Sequence, residues 1–276
     1  MAANDRLPKF TEHGRHTKNH PIMTPSAPSS YIQHFLESSL RAMGRGSPEG
    51  VRVLDVGCGR GDTVAWLLAR GWHAYGVDVS SAYLEHGRDY LLKVGENPER
   101  LQLLCDDLTY PFDDDYFDLV ISDQVIEHVS DLGAFAREIF RVSTHGGVGL
   151  HIYPAKWRPV EVHMMTPFAH WFPKGPARRT AIFSALFLGL GAPYFKEFPL
   201  RERAEIFSRF SEGETFYHSI GRTAATLEYY GLGCDAIAPS RHKVAFHAPQ
   251  LPTPTIAGFG WLYRHAFSVA LYTRKL

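Results

Sequence analysis

Cysteine is scarce in this chain. Its 276 residues hold three, Cys58, Cys105 and Cys234, far apart and each in or beside a strand-like segment. That spacing excludes a disulfide framework or a cysteine zinc site, and it suits small core residues of a reduced protein. Charge of one sign is lacking too: Lys plus Arg and Asp plus Glu both number 29. A nucleic-acid binder needs a cationic face, so no nucleic-acid partner is expected. No apolar run reaches the ~20 residues of a membrane span. The longest candidate, residues 181–194, is interrupted by Gly189, Gly191 and Pro193. The first residues carry no apolar core of a signal peptide, so a cytoplasmic location is expected.

What is present concentrates in residues 51–63, VRVLDVGCGRGDT. An apolar run leads to Asp55, glycines follow at Gly57, Gly59 and Gly61, and Asp62-Thr63 opens a helical pattern that stops at Gly71. Strand, glycine turn, helix is how an α/β fold brings its backbone against a nucleoside cofactor, where a Cβ would obstruct both turn and ligand. The dinucleotide fingerprint G-x-G-x-x-G would place its third glycine at position 62. That position is Asp62, an anion where a diphosphate would approach. A phosphate-free, positively charged cofactor suits the spacing better.

Residues 51–63 resemble motif I of the class I S-adenosylmethionine (SAM)-dependent methyltransferases, and the resemblance runs on for about a hundred residues. A second strand, His73–Val77, ends at Asp78, followed by Val79; an acid there is suited to both ribose hydroxyls. A third, Leu101–Cys105, leads to Asp106-Asp107-Leu108. The resemblance implies that an acid here meets the adenine amino group. A fourth strand, Phe117–Ser122, precedes Asp123-Gln124-Val125-Ile126-Glu127-His128-Val129, similar to the family's segment at that place. An amphipathic helix, Leu132–Val142, leads into a fifth strand, Val148–Tyr153. The cofactor-binding set implied is Asp55, Gly57, Gly59, Gly61, Asp78, Val79, Asp106, Asp107, Leu108, Asp123 and Gln124. The cofactor is SAM and the product S-adenosylhomocysteine.

The fold class expected is α/β: a Rossmann-like, doubly wound, seven-stranded sheet, mostly parallel with the last strand antiparallel, carrying a helical cap inserted after strand five. Residues 1–30 are expected to be a flexible arm, and 31–153 with 231–248 the SAM-binding domain. Residues 154–230 would be the cap, and 249–276 a helical tail. Within this division Tyr31–Met43 reads as a helix, Gly233–Ile237 as a strand, and Lys243–His247 as the last, antiparallel strand. In the tail, Pro254 would start a helix with Ile256, Phe259, Leu262, Tyr263, Ala266, Phe267 and Ala270 on its apolar face.

The acceptor chemistry must come from the cap. Residues 151–171 are dense in titratable and aromatic side chains and shaped by Pro154, Pro159 and Pro167. Glu161 and His163 lie two apart, on one side of an extended segment. A histidine beside a carboxylate makes an oriented general base. The alternative is a brace tying cap to core. His128 is the rival base. His170 and Trp171 are candidates to line the pocket, and Arg178-Arg179 to start a cap helix or meet an anionic group. No metal site is expected. His13, His16 and His20 read as solvated, and the spacing of magnesium-dependent catechol enzymes is not reproduced. Ser122-Asp123-Gln124-Val125 lacks the Asn/Asp-Pro-Pro-aromatic motif of nucleic-acid amino-methyltransferases.

The function expected is methylation of a small molecule with apolar or aromatic surface, at oxygen, with a histidine base. Methylation of carbon or nitrogen by positioning alone stays open, as does a non-catalytic SAM-binding subunit. Monomer and homodimer, and contact of cap or tail with a membrane interface, are equally open.

Overall fold

The computed structural model describes residues 7–10, 25–104, 108–236 and 267–276. The helix α1 is Ser30–Ala42, followed by β1 Arg52–Val56, α2 Asp62–Leu68, β2 His73–Asp78, α3 Ser81–Lys93, β3 Leu101–Leu103 and β4 Phe117–Asp123. Then come α4 Leu132–Val142, β5 Ser143–Pro154, α5 Pro176–Phe187, α6 Leu200–Gly213, α7 Ile220–Tyr229, β6 Leu232–Ala236 and β7 Ser268–Lys275. The sheet order is β3-β2-β1-β4-β5-β7-β6. β7 runs antiparallel to both β5 and β6, while the β1–β2, β1–β4, β2–β3 and β4–β5 pairs are parallel. This is the expected fold.

Both faces of the sheet are covered, so its strands read as continuous apolar runs rather than alternating ones. Val53, Leu119, Ile121, Leu150 and Ile152 pack with α1, α2 and α3. Leu54, Val120, Tyr153, Val269 and Leu271 pack on the other side with α4 and α7. A third cluster, Met164, Ile182, Leu186, Phe195, Phe207 and Phe210, is the cap's own core, and Phe10 from the N-terminal segment joins it. α7 does not belong to the cap: Leu227 is buried in the sheet-side core. Among the described residues, no helix is long and apolar enough to cross a membrane.

Two expectations for the C-terminal part change. The antiparallel strand is Ser268–Lys275, not Lys243–His247, which lies outside the described residues together with 254–266. Its Val269-Ala270-Leu271 run is buried in the sheet, although Phe267 and Ala270 also fit a helical face; periodicity cannot separate strand from helix in so short a run. Lys275 anchors the strand. Its ammonium donates to Asp115 Oδ1 at 2.7 Å and to the Ser143 carbonyl at 2.9 Å, and lies 4.3 Å from the Phe140 ring centroid.

The strand order reverses between β1 and β4. The crevice beyond their carboxyl ends is where open α/β sheets bind ligands, and both the glycine loop and the Asp123–His128 segment open there.

Candidate active site

The glycine loop is folded against the end of β2. Gly57 N–H and Cys58 N–H both donate to the Val77 carbonyl, at 2.8 and 3.0 Å. Gly57, Gly59 and Gly61 all have positive φ. A Cβ on Gly57 would meet Val125 Cγ2 at 2.3 Å, so the loop lies directly against the segment after β4, whereas nothing stands within 4 Å of a Cβ on Gly59. Asp78 Oδ2 accepts from Gly59 N–H and Oδ1 from Ser80 N–H, both at 2.8 Å.

Asp55 is buried at the end of β1. Burial, reinforced by the neighbouring Asp123 and Asp78, holds its carboxyl well above the usual carboxylate range. Three acids around one crevice favour a ligand bearing positive charge. Gln124 and Leu108 adopt left-handed backbone conformations, Gln124 N–H donates to the Ile152 carbonyl at 2.8 Å, and Val79 is exposed. Asp106 and Asp107 lie outside the described residues. Open space at Gly59, the Asp78 carboxylate and the acidic crevice fit a sulfonium nucleoside.

The three catalytic candidates, which the sequence scatters over 35 positions, form one chain of contacts. Glu161 is fully buried. Its Oε2 accepts the backbone N–H groups of His163 and Met164, and its Oε1 accepts His163 Nδ1–H at 2.8 Å and the Tyr217 hydroxyl. The segment is thus a turn, closed by Met165 N–H donating to the Glu161 carbonyl, rather than extended. A turn brings the two side chains together by wrapping the carboxylate over backbone donors. Burial opposes the Glu161 charge, but the bonds from His163, Tyr217 and Met164 hold its carboxyl below the ordinary value. Burial and Glu161 in turn push the Tyr217 hydroxyl up, so it remains a donor.

His163 Nε2 lies 3.2 Å from His128 Nε2, and His128 Nδ1 lies 2.7 Å from the Glu214 carbonyl. A carbonyl only accepts, so His128 donates from Nδ1; an ionised carboxylate only accepts, so His163 does the same. Both Nε2 lone pairs then face one another, and a hydrogen bond between them requires one further proton, shared by the pair. Phe210 of α6 packs beside both rings. The contacts join core to cap, as the brace reading expects.

Sequence reasoning missed Glu127, Tyr217 and Phe210. Glu127 is 1% exposed, and neither carboxylate oxygen has a hydrogen-bond partner. Burial chiefly, with Asp123 and Glu161, pushes its carboxyl up to about 8. An acid beside His128 was the available signal. His170 is buried against the Tyr217 ring rather than lining an opening. Arg178 is no anion receptor: its guanidinium is buried and donates to the carbonyls of His170, Phe172 and Ser211.

Residues 54–150 match a family described as Methyltransferase domain. Over these residues the chain is similar to methyltransferase domains. Over 107 residues it is 35% identical to the ubiquinone/menaquinone biosynthesis C-methyltransferase UbiE of Vibrio vulnificus, covering 37% of this chain and 40% of that protein. Over 118 residues it is 32% identical to the chloroplastic tocopherol O-methyltransferase of Arabidopsis thaliana, covering 41% and 34%. The chain thus spans less than half the length of these relatives. A SAM-dependent methyltransferase structure from Mesorhizobium loti superposes with a TM-score of 0.51 at 19% identity, covering 86% of this chain and 96% of that one, a likeness of fold.

Proposed function

We propose that this protein is a SAM-dependent methyltransferase of a small-molecule acceptor, methylating a hydroxyl whose proton is taken at the His128–His163 pair. When bound, SAM supplies an electrophilic methyl group on sulfur. Gly57, Gly59 and Gly61 with Asp78 would hold its nucleoside, and Asp55 and Asp123 would face its positive end. A hydroxyl must lose its proton to become an effective nucleophile, and an imidazole oriented by a carboxylate is suited to take it. The observation that carries this reading is the Tyr217–Glu161–His163–His128 chain, reached from the cofactor crevice through the single segment Asp123–His128.

Apolar side chains exposed on the cap, among them Phe168, Trp171, Phe187 and Leu188, support an acceptor with apolar surface. The C-methyltransferase among the relatives supports a second reading, transfer to an activated carbon by positioning alone. Calorimetric titration with SAM and S-adenosylhomocysteine tests the cofactor. Turnover of hydroxylated aromatic and lipid acceptors with labelled SAM tests the activity. If His163→Ala and His128→Ala both keep near-normal turnover with unchanged SAM affinity, the base assignment fails. A rate that does not fall in acid would favour positioning alone.

A further inference from the structure

We infer that Glu127, His128 and His163 form a binding site for one divalent transition-metal ion. One carboxylate oxygen of Glu127 and one ring nitrogen from each histidine lie within 4.8 Å of one another. The histidines come from different parts of the fold, the turn after β4 and the cap. Each is oriented as metal-binding imidazoles commonly are, with one ring nitrogen donating to a carboxylate or backbone carbonyl. For His163 the carboxylate is Glu161, and for His128 the carbonyl is that of Glu214. Both arrangements leave Nε2 as the electron-pair donor and point the two donors at each other, 3.2 Å apart.

That separation suits two ligands of one ion. Bonds of about 2.0–2.1 Å spanning it would meet at about 100°, close to a tetrahedral angle. The third observation is Glu127 itself. A carboxylate buried with both oxygens unpartnered is costly, yet this one is aimed at the histidine pair. A cation there would satisfy Glu127 and replace the proton that the two imidazoles otherwise share. Two nitrogens and one oxygen select Zn²⁺, Mn²⁺ or Fe²⁺ over Mg²⁺, which prefers oxygen and retained water.

Three protein ligands also leave positions open, as catalytic rather than structural ions require. The inference rests on the methyltransferase reading and replaces its base assignment. An acceptor hydroxyl entering an open position would be oriented by the ion and release its proton to solvent more readily. The histidines would then act on the acceptor as ligands instead of as the base.

Metal-free protein, prepared with a chelator, is titrated calorimetrically with Zn²⁺, Mn²⁺ and Mg²⁺, and separately with SAM. One equivalent of Zn²⁺ or Mn²⁺ should bind, Mg²⁺ at least 10-fold more weakly. Glu127→Gln and His163→Gln should each weaken Zn²⁺ binding 10-fold or more. Wild-type protein loaded with Co²⁺ needs no variant, and should give the intense visible bands of a four- or five-coordinate ion. Absence of stoichiometric uptake, an aqua-ion Co²⁺ spectrum, or affinity unmoved by both variants overturns the site. SAM binding without metal uptake sinks the cation site alone. Metal uptake without SAM binding sinks the methyltransferase reading and leaves the cation site standing.

Discussion

Gly59 N–H donates to Asp78 Oδ2 at 2.8 Å, tying the middle of the glycine loop to the end of β2. Asp78 therefore shapes the crevice as well as offering a carboxylate to a ribose. Asp78→Ala is expected to weaken SAM and S-adenosylhomocysteine binding by roughly 1–3 kcal/mol, the cost of leaving hydrogen-bonding groups without a partner. Calorimetric titration of both proteins measures it; equal affinity would remove Asp78 from the site.

Gly57 and Gly59 should respond differently to the same substitution. On Gly57 a methyl group would run into Val125 at 2.3 Å, so Gly57→Ala should lower the thermal midpoint as well as binding. On Gly59 the methyl enters open space, with a left-handed strain of about 1–2 kcal/mol. Gly59→Ala should keep most of the stability and lose at least 10-fold in SAM affinity. Thermal melts run beside calorimetry separate the two effects.

The Tyr217–Glu161 bond predicts a stability cost far from the sheet. Tyr217→Phe removes one donor from a buried carboxylate and should cost about 1.5–3 kcal/mol. Glu161→Ala strands the His163 and Met164 backbone donors, the His163 ring and the Tyr217 hydroxyl together, so it should cost more than Tyr217→Phe. Urea unfolding monitored by tryptophan fluorescence tests the ranking; the reverse order would disprove it.

His151 makes the fold acid-sensitive. It is fully buried between Ser122 and Thr273, and burial pushes its imidazole down to about 4. Because the folded value lies below the unfolded 6.5, its contribution is complete above pH 6.5 and is lost as pH falls toward 4. By pH 5 the loss should be about 2 kcal/mol. His170, also pushed down to about 4 by burial, adds a second effect of the same sign. Denaturant midpoints at pH 7.5 and 5 should differ accordingly, and His151→Asn should shrink the difference.

The first half of the fold was legible because local rules coincide there. β1 and α2 are bounded by glycines in left-handed conformations that other residues rarely adopt, and the apolar runs of β1, α2 and β2 are long enough to have one interpretation. The last strand was not, since Val269-Ala270-Leu271 serves a helix face and a sheet interior equally well. In the site, Glu161 and His163 were readable as a pair although their local geometry is a turn. Their joining to His128 was not readable, because it depends on how the cap settles on the core. Tyr217 reaches Glu161 across 56 positions, and no spacing rule spans that distance. Glu127 looked like an ordinary acid in a polar segment; only its burial without partners marks it out.

β7 lies between β5 and β6, so among the described residues β6 touches the sheet only through β7. Leu232–Ala236 precedes this neighbour in the chain and must wait for Ser268–Lys275. Until that segment arrives, β5 is an open edge, exposed to pairing with another chain. Pairing strands this distant in sequence is a slow, nonlocal step of assembly, and β5 stays uncovered until it is complete.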